Sequence, residues 1–587
     1  MKITNKEIAR ILYEIGEYLE IKGVQFKPRA YEKAGHSIEN LEEEVSEIYK
    51  KGGLKAVEDI PGVGVSIAKK IGELIKTGHL KYYEKLKESL PVKIGELSSI
   101  EGVGPKTVFK LYKKLKVKNI NDLEKAAKAG KIAKIKGLGG KAEEKILKSI
   151  EFVKKSGGRF LLGTILPQAR AIEKRLKNSK TVSKAAYAGS VRRMQETIGD
   201  LDFMVTSNKP KTIIDFFAAI PEVLHIYSKG ATKIMTRLKN NTDADLRVVS
   251  DKSFGAALQY FTGDKRHNIA LRTLAEKKGY KLNEYGLWSG KKLIAGKTEE
   301  EIYKALGMQT PPPEIRNDSG EIQAALKNNL PKLVGYGDIK GDLQVTTNWT
   351  DGENSIEEMA AAAQAAGLEY IAITDHTKSL AMIGGLNEKK LLQQMAEIDK
   401  LNLKFESPRF PPTGDHPKGE KFKILKGAEV NILKDGLLDI KDEVLAKLDV
   451  VGIAVHSHFN LSRAEQTRRV IKAMQNKNAD ILFHPTGRLI QRRAPFDIDI
   501  DEIIKAAKEM GTILEINADP HRLDLKDEYV RKAIGAKVKL VIDTDAHDKN
   551  CFQYLEFGIG QARRGWAKKS DIINTRPWPE MLKLLKK

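Results

Sequence analysis

The sequence predicts a multidomain protein of mixed α+β and α/β class: a helical, lysine-rich arm, an α+β centre and a carboxy-terminal parallel α/β barrel. Three observations carry this expectation. Up to about residue 155, apolar side chains such as Ile8, Ile11, Leu12, Ile15 and Leu19 recur at helical spacing between glycine-rich hinges. From about residue 160, short strand-like runs at 181–182, 202–205 and 246–249 mix with helices. A break at Pro311-Pro312-Pro313, which neither a helix nor a central strand can cross, separates a third pattern. There, apolar runs at 370–374, 450–455, 481–483, 513–516 and 540–542 alternate with helices. The chain has 587 residues, several times the ~150 of an ordinary domain. The expected boundaries are 1–88 and 89–157 for two helical domains, 158–250 and 251–313 for the centre, 314–337 for a linker and 338–587 for the barrel.

Charge and cysteine content narrow the function. Lys and Arg number 102 against 78 Asp and Glu, a net charge of +24, which calls for a polyanionic partner. One cysteine, Cys551, excludes a disulfide framework or a Cys-rich zinc finger and fits a reducing cytoplasm. No apolar run approaches the ~18 residues of a membrane span, so a cytoplasmic protein without a membrane partner is expected.

The arm contains an internal repeat. Ile60-Pro61-Gly62-Val63-Gly64, Ile100-Glu101-Gly102-Val103-Gly104-Pro105-Lys106 and Ile135-Lys136-Gly137-Leu138-Gly139 each set two glycines around an apolar residue just before a helix. Glycine allows close backbone approach, and the free N–H groups at the helix start then face an anion such as phosphate. Between residues 101 and 150 there are 14 Lys and 5 acidic residues, so nine of the net positive charges lie on two of these turns. A solvated surface accounts for any one lysine but not for their gathering around the loops. The segments resemble helix-hairpin-helix modules, which grip the DNA backbone without reading sequence.

The centre holds a set of carboxylates. In Gly189-Ser190-Val191-Arg192-Arg193 through Gly199-Asp200-Leu201-Asp202, the two aspartates are two apart at a strand start and project from one face. Asp243 and Asp245 precede another apolar run. Three carboxylates on adjacent strands can hold two Mg²⁺ through hard oxygen ligands, with Gly189, Ser190 and Arg193 as phosphate donors.

At this point residues 1 to about 315 resemble the family X DNA polymerases, through these motifs and through Tyr260-Phe261-Thr262-Gly263, Asn268, Arg272 and Asn283-Glu284-Tyr285. The resemblance implies a nucleotidyltransferase palm and thumb behind the helix-hairpin-helix arm. Asp200, Asp202 and Asp245 would bind metal, with Asp245 the base for the primer hydroxyl. Ser190 and Arg193 would bind the triphosphate, while Tyr260 and Phe261 would line the sugar and Gly263 would belong to the same nucleotide site. Asn268 would meet the base and Arg272 the template. It also implies partners: gapped or nicked duplex DNA and deoxynucleoside triphosphates, acted on by a monomer in short-gap repair. Lys70 matches the lysine with which the first domain of some members forms a Schiff base to remove 5′-deoxyribose phosphate. Lys27 and Tyr31 resemble the 5′-phosphate pocket, although Ser66 stands where another lysine is common.

The third segment places His376, Glu429, His456, His484, Asp545 and His547 mostly behind apolar strands. It looks like a PHP domain, a distorted (β/α)7 barrel that holds up to three Zn²⁺ or Mn²⁺ ions and trims 3′ ends. By that resemblance Asp351, His376 and His547 bind one ion, Glu429, His456 and His484 another, and Asp545 belongs to a third beside an opening His-x-His. Here that opening reads Gln344-Val345-Thr346. Amide and hydroxyl are poor substitutes for imidazole, so at most two ions and a weak or absent 3′→5′ exonuclease are expected. The complete central set beside the incomplete barrel set argues against a protein that is chiefly a nuclease tethered to DNA. Intact Ser190 and Arg193 argue against a non-catalytic DNA binder, and Asn268, Arg272 and three hairpins against a template-independent transferase.

Overall fold

The computed structural model describes residues 3–586 except 4, 22–23, 25–26, 40, 42, 90–91, 93–96, 98–99, 101–102, 104, 136, 156–157 and 406–421. The chain divides into two units, the first formed by residues 1–157 and 491–493 and the second by 158–490 and 494–587.

The first unit is helical around one apolar core to which Ile8, Leu12, Ile15, Ile38, Ile71 and Leu111 contribute. The three glycine turns share one construction. The residue between the glycines is buried in each (Val63, Val103, Leu138), and its N–H closes a turn onto the carbonyl three residues back: Ile60, Ile100 and Ile135 at 2.9–3.0 Å. Gly62 and Gly137 take φ of +80° and +89°, which an L side chain resists, while no atom stands within 4 Å of a Cβ placed on Gly64 or Gly139. Gly102, Gly104 and the side chain of Lys106 lie outside the described residues.

The second unit opens with a five-stranded sheet. Asp200–Ser207 lies between Val182–Tyr187 and Asp243–Val249, and Lys233–Leu238 and Val223–Lys229 complete it. The apolar face of this sheet packs on the helix Leu162–Lys177, with Ile165, Leu166, Phe203, Val205 and Leu246 fully buried. A smaller cluster around Leu271, Leu287, Ile302 and Tyr303 holds the helices and three-stranded sheet that follow. The segment expected as a linker departs from that reading. Within it the helix Glu321–Leu326 places Ile322 and Ala325 in that same cluster, because its apolar residues recur at three-residue spacing.

Seven parallel strands from Gly341–Val345 to Leu540–Asp543 follow in chain order. A parallel bridge between Val345 and Ala546 brings the first strand against the residues just past the last, giving a nearly closed barrel. Its strands are buried on both faces, which explains their near-continuous apolar runs. No helix among the described residues is long and apolar enough to cross a membrane.

Candidate functional site

The parallel pairing of Asp200–Ser207 with Asp243–Val249 sets Asp200 opposite Asp243 and Asp202 opposite Asp245. Alternation along each strand brings all four carboxylates to one face. Arg237 engages Asp243 through Nε at 2.6 Å and Nη2 at 3.2 Å, so Asp200, Asp202 and Asp245 form the remaining trio. Burial, then Asp200 and Asp245, pushes the Asp202 carboxyl up to about 7. Burial also raises Asp245 against the pull of Lys233, whose Nζ is 3.4 Å from Oδ2. Carboxylates crowded into this state offer hard oxygens to a divalent cation, whose charge offsets their repulsion, so the donor set fits Mg²⁺. Gly189, at φ +68°, is required here: a Cβ would stand 3.0 Å from Asp202 Oδ2.

Beside the trio, Ser190 lies in the short helix Gly189–Arg192. Arg193 donates from Nη1 to the Thr262 carbonyl at 2.6 Å, and its buried Nε has no partner among the described residues. Burial, with Arg564 and Arg159 close by, draws its guanidinium down to about 10 against the attraction of Asp264. Tyr260 and Phe261 meet edge to face at 5.1 Å, and Arg247 covers the Phe261 ring at 4.5 Å. Asn268 is tied into the chain beside these rings. Its amide donates to the carbonyls of Tyr260 (2.7 Å) and Gly263 (3.0 Å) and accepts from Gln259 (2.9 Å), so it shapes the turn that carries the two rings. Gly263 leaves the space Asn268 fills, and Arg272 is exposed on the helix Lys265–Lys277. Gly189, Ser190, Arg193, Asp200, Asp202 and Phe261 line one cavity of about 940 Å³.

Sequence reasoning missed the brace behind this cavity. Arg192 grips Glu299 at 2.9 and 2.7 Å and the Thr262 hydroxyl at 2.7 Å, and the buried Arg316 pairs with the same carboxylate. Nothing in local spacing joins residues more than a hundred positions apart.

In the first unit, Lys70 Nζ donates to the Ser66 hydroxyl at 2.9 Å and lies over the rings of Tyr82 (4.9 Å) and Tyr31 (5.8 Å). Burial, then Lys27, lowers its pKa against the pull of Glu73, which enlarges the neutral, nucleophilic fraction. Ser66, the departure from the family pattern, is thus the direct partner of the amine.

At the barrel mouth, Asp351, His376 and His547 converge, as do His376, Glu429 and His456. His456 Nε2 and His484 Nε2 lie 2.9 and 2.8 Å from Glu429 Oε1, and His376 Nδ1 is 3.5 Å from Oε2. Burial opposes ionisation of Glu429, yet His376 and His456 hold it well below the usual carboxylate range. His484 and Asp545 take φ of +29° and +55°, conformations tolerated where the surroundings aim a side chain. Imidazole and carboxylate in this mixture fit Zn²⁺ or Mn²⁺. Asp545 is held differently. Arg522 Nε lies 3.2 Å from its Oδ2, Asn517 donates to the same oxygen at 3.2 Å, and Gln344 donates to Glu429 Oε2 at 3.1 Å. A guanidinium and one amide therefore meet at Asp545, Gln344 accepts from that same Asn517 amide at 3.3 Å, and among the described residues the buried Thr346 Oγ1 has no partner.

Known proteins resemble the chain in both halves. The chain matches models of a helix-hairpin-helix domain at 3–80, a SAM-like helix-hairpin-helix tandem at 94–151, a DNA polymerase beta thumb at 257–317 and a PHP domain at 342–519. It is 36% identical over 587 residues to the DNA polymerase/3′-5′ exonuclease PolX of Bacillus subtilis (strain 168), covering 99% of each chain. DNA polymerase lambda of Rattus norvegicus is 24% identical over 351 residues, 53% of this chain and 56% of that one. A probable phosphatase of Thermoanaerobacter sp. (strain X514) is 30% identical over 204 residues, 33% of this chain and 73% of that one. Fold and relatives together define a DNA-directed DNA polymerase. The chain belongs to the family X DNA polymerases that carry a PHP domain.

Proposed function

We propose that the protein fills short gaps in duplex DNA during base excision repair, acting as a cytoplasmic monomer on deoxynucleoside triphosphates. The observation that carries this reading is the Asp200, Asp202 and Asp245 trio on one sheet face, of which Asp200 and Asp202 line a cavity together with Ser190 and Arg193. Asp200, Asp202 and Asp245 would hold two Mg²⁺ ions, which when bound would supply charge neutralisation at the attacking hydroxyl and the departing pyrophosphate. Asp245, raised by burial, accepts the proton of the primer 3′-hydroxyl. Ser190 and Arg193 hold the outer phosphates, and Tyr260 and Phe261 flank the sugar, on a turn fixed by Asn268. The glycine turns grip the duplex backbone through N–H groups, and Arg272 meets the template. Lys70 serves as the Schiff-base amine for 5′-deoxyribose phosphate removal, supported by its lowered pKa beside Lys27. A one-nucleotide gap assay with each nucleotide separately tests the reading: template-directed incorporation by wild type and none by Asp245→Ala is expected. Untemplated addition, or full activity in the variant, would overturn it.

In the barrel, two ions of Zn²⁺ or Mn²⁺ fit the histidine–carboxylate groups, with Arg522, Asn517 and Gln344 in place of a third. The weak or absent exonuclease expected from Gln344 and Thr346 finds no support in the comparisons, whose full-length relative is named for that activity. Trimming of a labelled 3′ end, measured beside metal content, decides between a two-ion exonuclease and a barrel without it.

A further inference from the structure

The cavity lined by Asp200 and Asp202 is not made by the palm and thumb alone. Lys526, Asp527, Glu528, Arg531, Lys532 and Arg564, all from the barrel, line it together with Ser190 and Arg193. The barrel is fixed there by direct contacts. Arg488 reaches Glu196 at 2.8 Å, Arg170 reaches Glu556 at 2.9 Å, and Arg564 Nη1 lies 3.5 Å from the Arg193 carbonyl.

The cations on the barrel side are unequal. Lys526 pairs with Glu528 at 3.2 Å, Lys532 with Asp501 at 2.7 Å and Arg564 with Asp527. Among the described residues Arg531 makes no ion pair. Its guanidinium stacks on the Trp566 indole at 3.7 Å, and Nη1 is 3.4 Å from the Ser319 hydroxyl. Stacking leaves the edge of the guanidinium, with its fork of donors, directed away from the ring face. Across the same cavity Arg193 also makes no ion pair among the described residues, and the Nε atoms of Arg193 and Arg564 are buried without partners. Two arginines without an ion pair among the described residues, one from the palm and one from the barrel, face a cavity of about 940 Å³, large enough for a nucleoside triphosphate; Asp264 and Glu321 act on them only from a distance. This is the pattern of a built anion site.

We propose that Arg531 of the PHP barrel binds the polyphosphate chain of the incoming nucleotide, so that the polymerase site is completed by the barrel. This rests on the polymerase reading above and extends it to a residue outside the palm and thumb. The barrel then contributes to nucleotide affinity whatever its own phosphoesterase activity.

The test is steady-state single-gap filling by the full chain carrying R531A, R531Q or R531K, with inorganic tripolyphosphate binding measured by calorimetry in Mg²⁺. A charge-assisted contact is worth roughly tenfold or more in affinity. The expected result is a KM about tenfold higher for all four nucleotides in R531A and R531Q. Unchanged kcat and DNA affinity, matching loss of tripolyphosphate affinity and partial recovery in R531K complete the expectation. Equal KM and equal tripolyphosphate affinity in wild type and variants would overturn the inference, as would a defect confined to DNA affinity. Failure of the underlying reading looks different, since the wild type itself would then incorporate nothing. Melting temperature of each variant separates a lost phosphate contact from a loosened Trp566 stack: KM changes that track melting rather than charge would also overturn it.

Discussion

Replacing Glu299 with Gln tests the brace that holds the nucleotide turn. Glu299 is 6% exposed and accepts from two guanidiniums, Arg192 and Arg316, the latter itself 1% exposed. Burial alone would raise this carboxyl, but Arg316 and Arg192 hold it at about 2 rather than 4.5. That difference corresponds to about 3 kcal/mol of stability. Because the folded-state pKa is depressed, the contribution is fully present above about 4.5 and is lost as pH falls through about 2. In Glu299→Gln the buried Arg316 and the half-buried Arg192 stay beside a neutral amide, so a local cost of about 3 kcal/mol is expected at pH 7. Hydrogen exchange of the helices Glu299–Ala305 and Phe254–Thr262 reads this as a loss of protection of about a hundredfold at pH 7. The gap between wild type and variant should shrink to less than half at pH 3. Nucleotide KM should rise as well, since Arg192 holds the Thr262 hydroxyl while the Thr262 carbonyl holds Arg193. Protection within threefold of wild type at pH 7 would refute the reasoning.

Three other outcomes follow from the sites. Asp243→Ala should keep most gap-filling activity while Asp245→Ala falls by roughly a thousandfold or more, because Asp243 is occupied by Arg237; equal losses would reassign the trio. Borohydride treatment on an incised abasic duplex should trap a covalent adduct in wild type and not in Lys70→Ala, and an adduct of full yield in the variant would remove Lys70 from that role. Purified protein should contain about two transition-metal ions per chain, and Glu429→Gln, which removes the carboxylate shared by His376, His456 and His484, should contain fewer, as read by elemental analysis. Three ions per wild-type chain would contradict the place assigned to Arg522.

Much of this was legible in the sequence because the informative patterns are local. A carboxylate pair two apart, a repeated Gly-x-Gly before a helix and apolar runs ending in His or Asp each declare a face, a turn or a strand end within a few residues. The barrel and the carboxylate register therefore come through. What stayed hidden depends on distant chain segments meeting. Arg531 reads as one more charge on the surface of a helix, and Arg522 as a loop cation, until folding sets them beside Ser319, Trp566 and Asp545. Glu321 looks like a solvated helix start in a linker, yet it is fully buried and its carboxylate lies 2.6 Å from His267 Nδ1. Asn268 adds a role its residue type does not announce: three hydrogen bonds within the chain tie its amide to the turn that carries Tyr260 and Phe261.

The apolar core of the palm includes Ile490, Leu523 and Phe557, which the barrel supplies. Cutting the chain ahead of the barrel would therefore strip the palm of part of its own interior and leave greasy surface facing water. Selection acting on nucleotide addition alone would thus preserve the barrel's shape, even in a lineage where the barrel's metal chemistry had decayed.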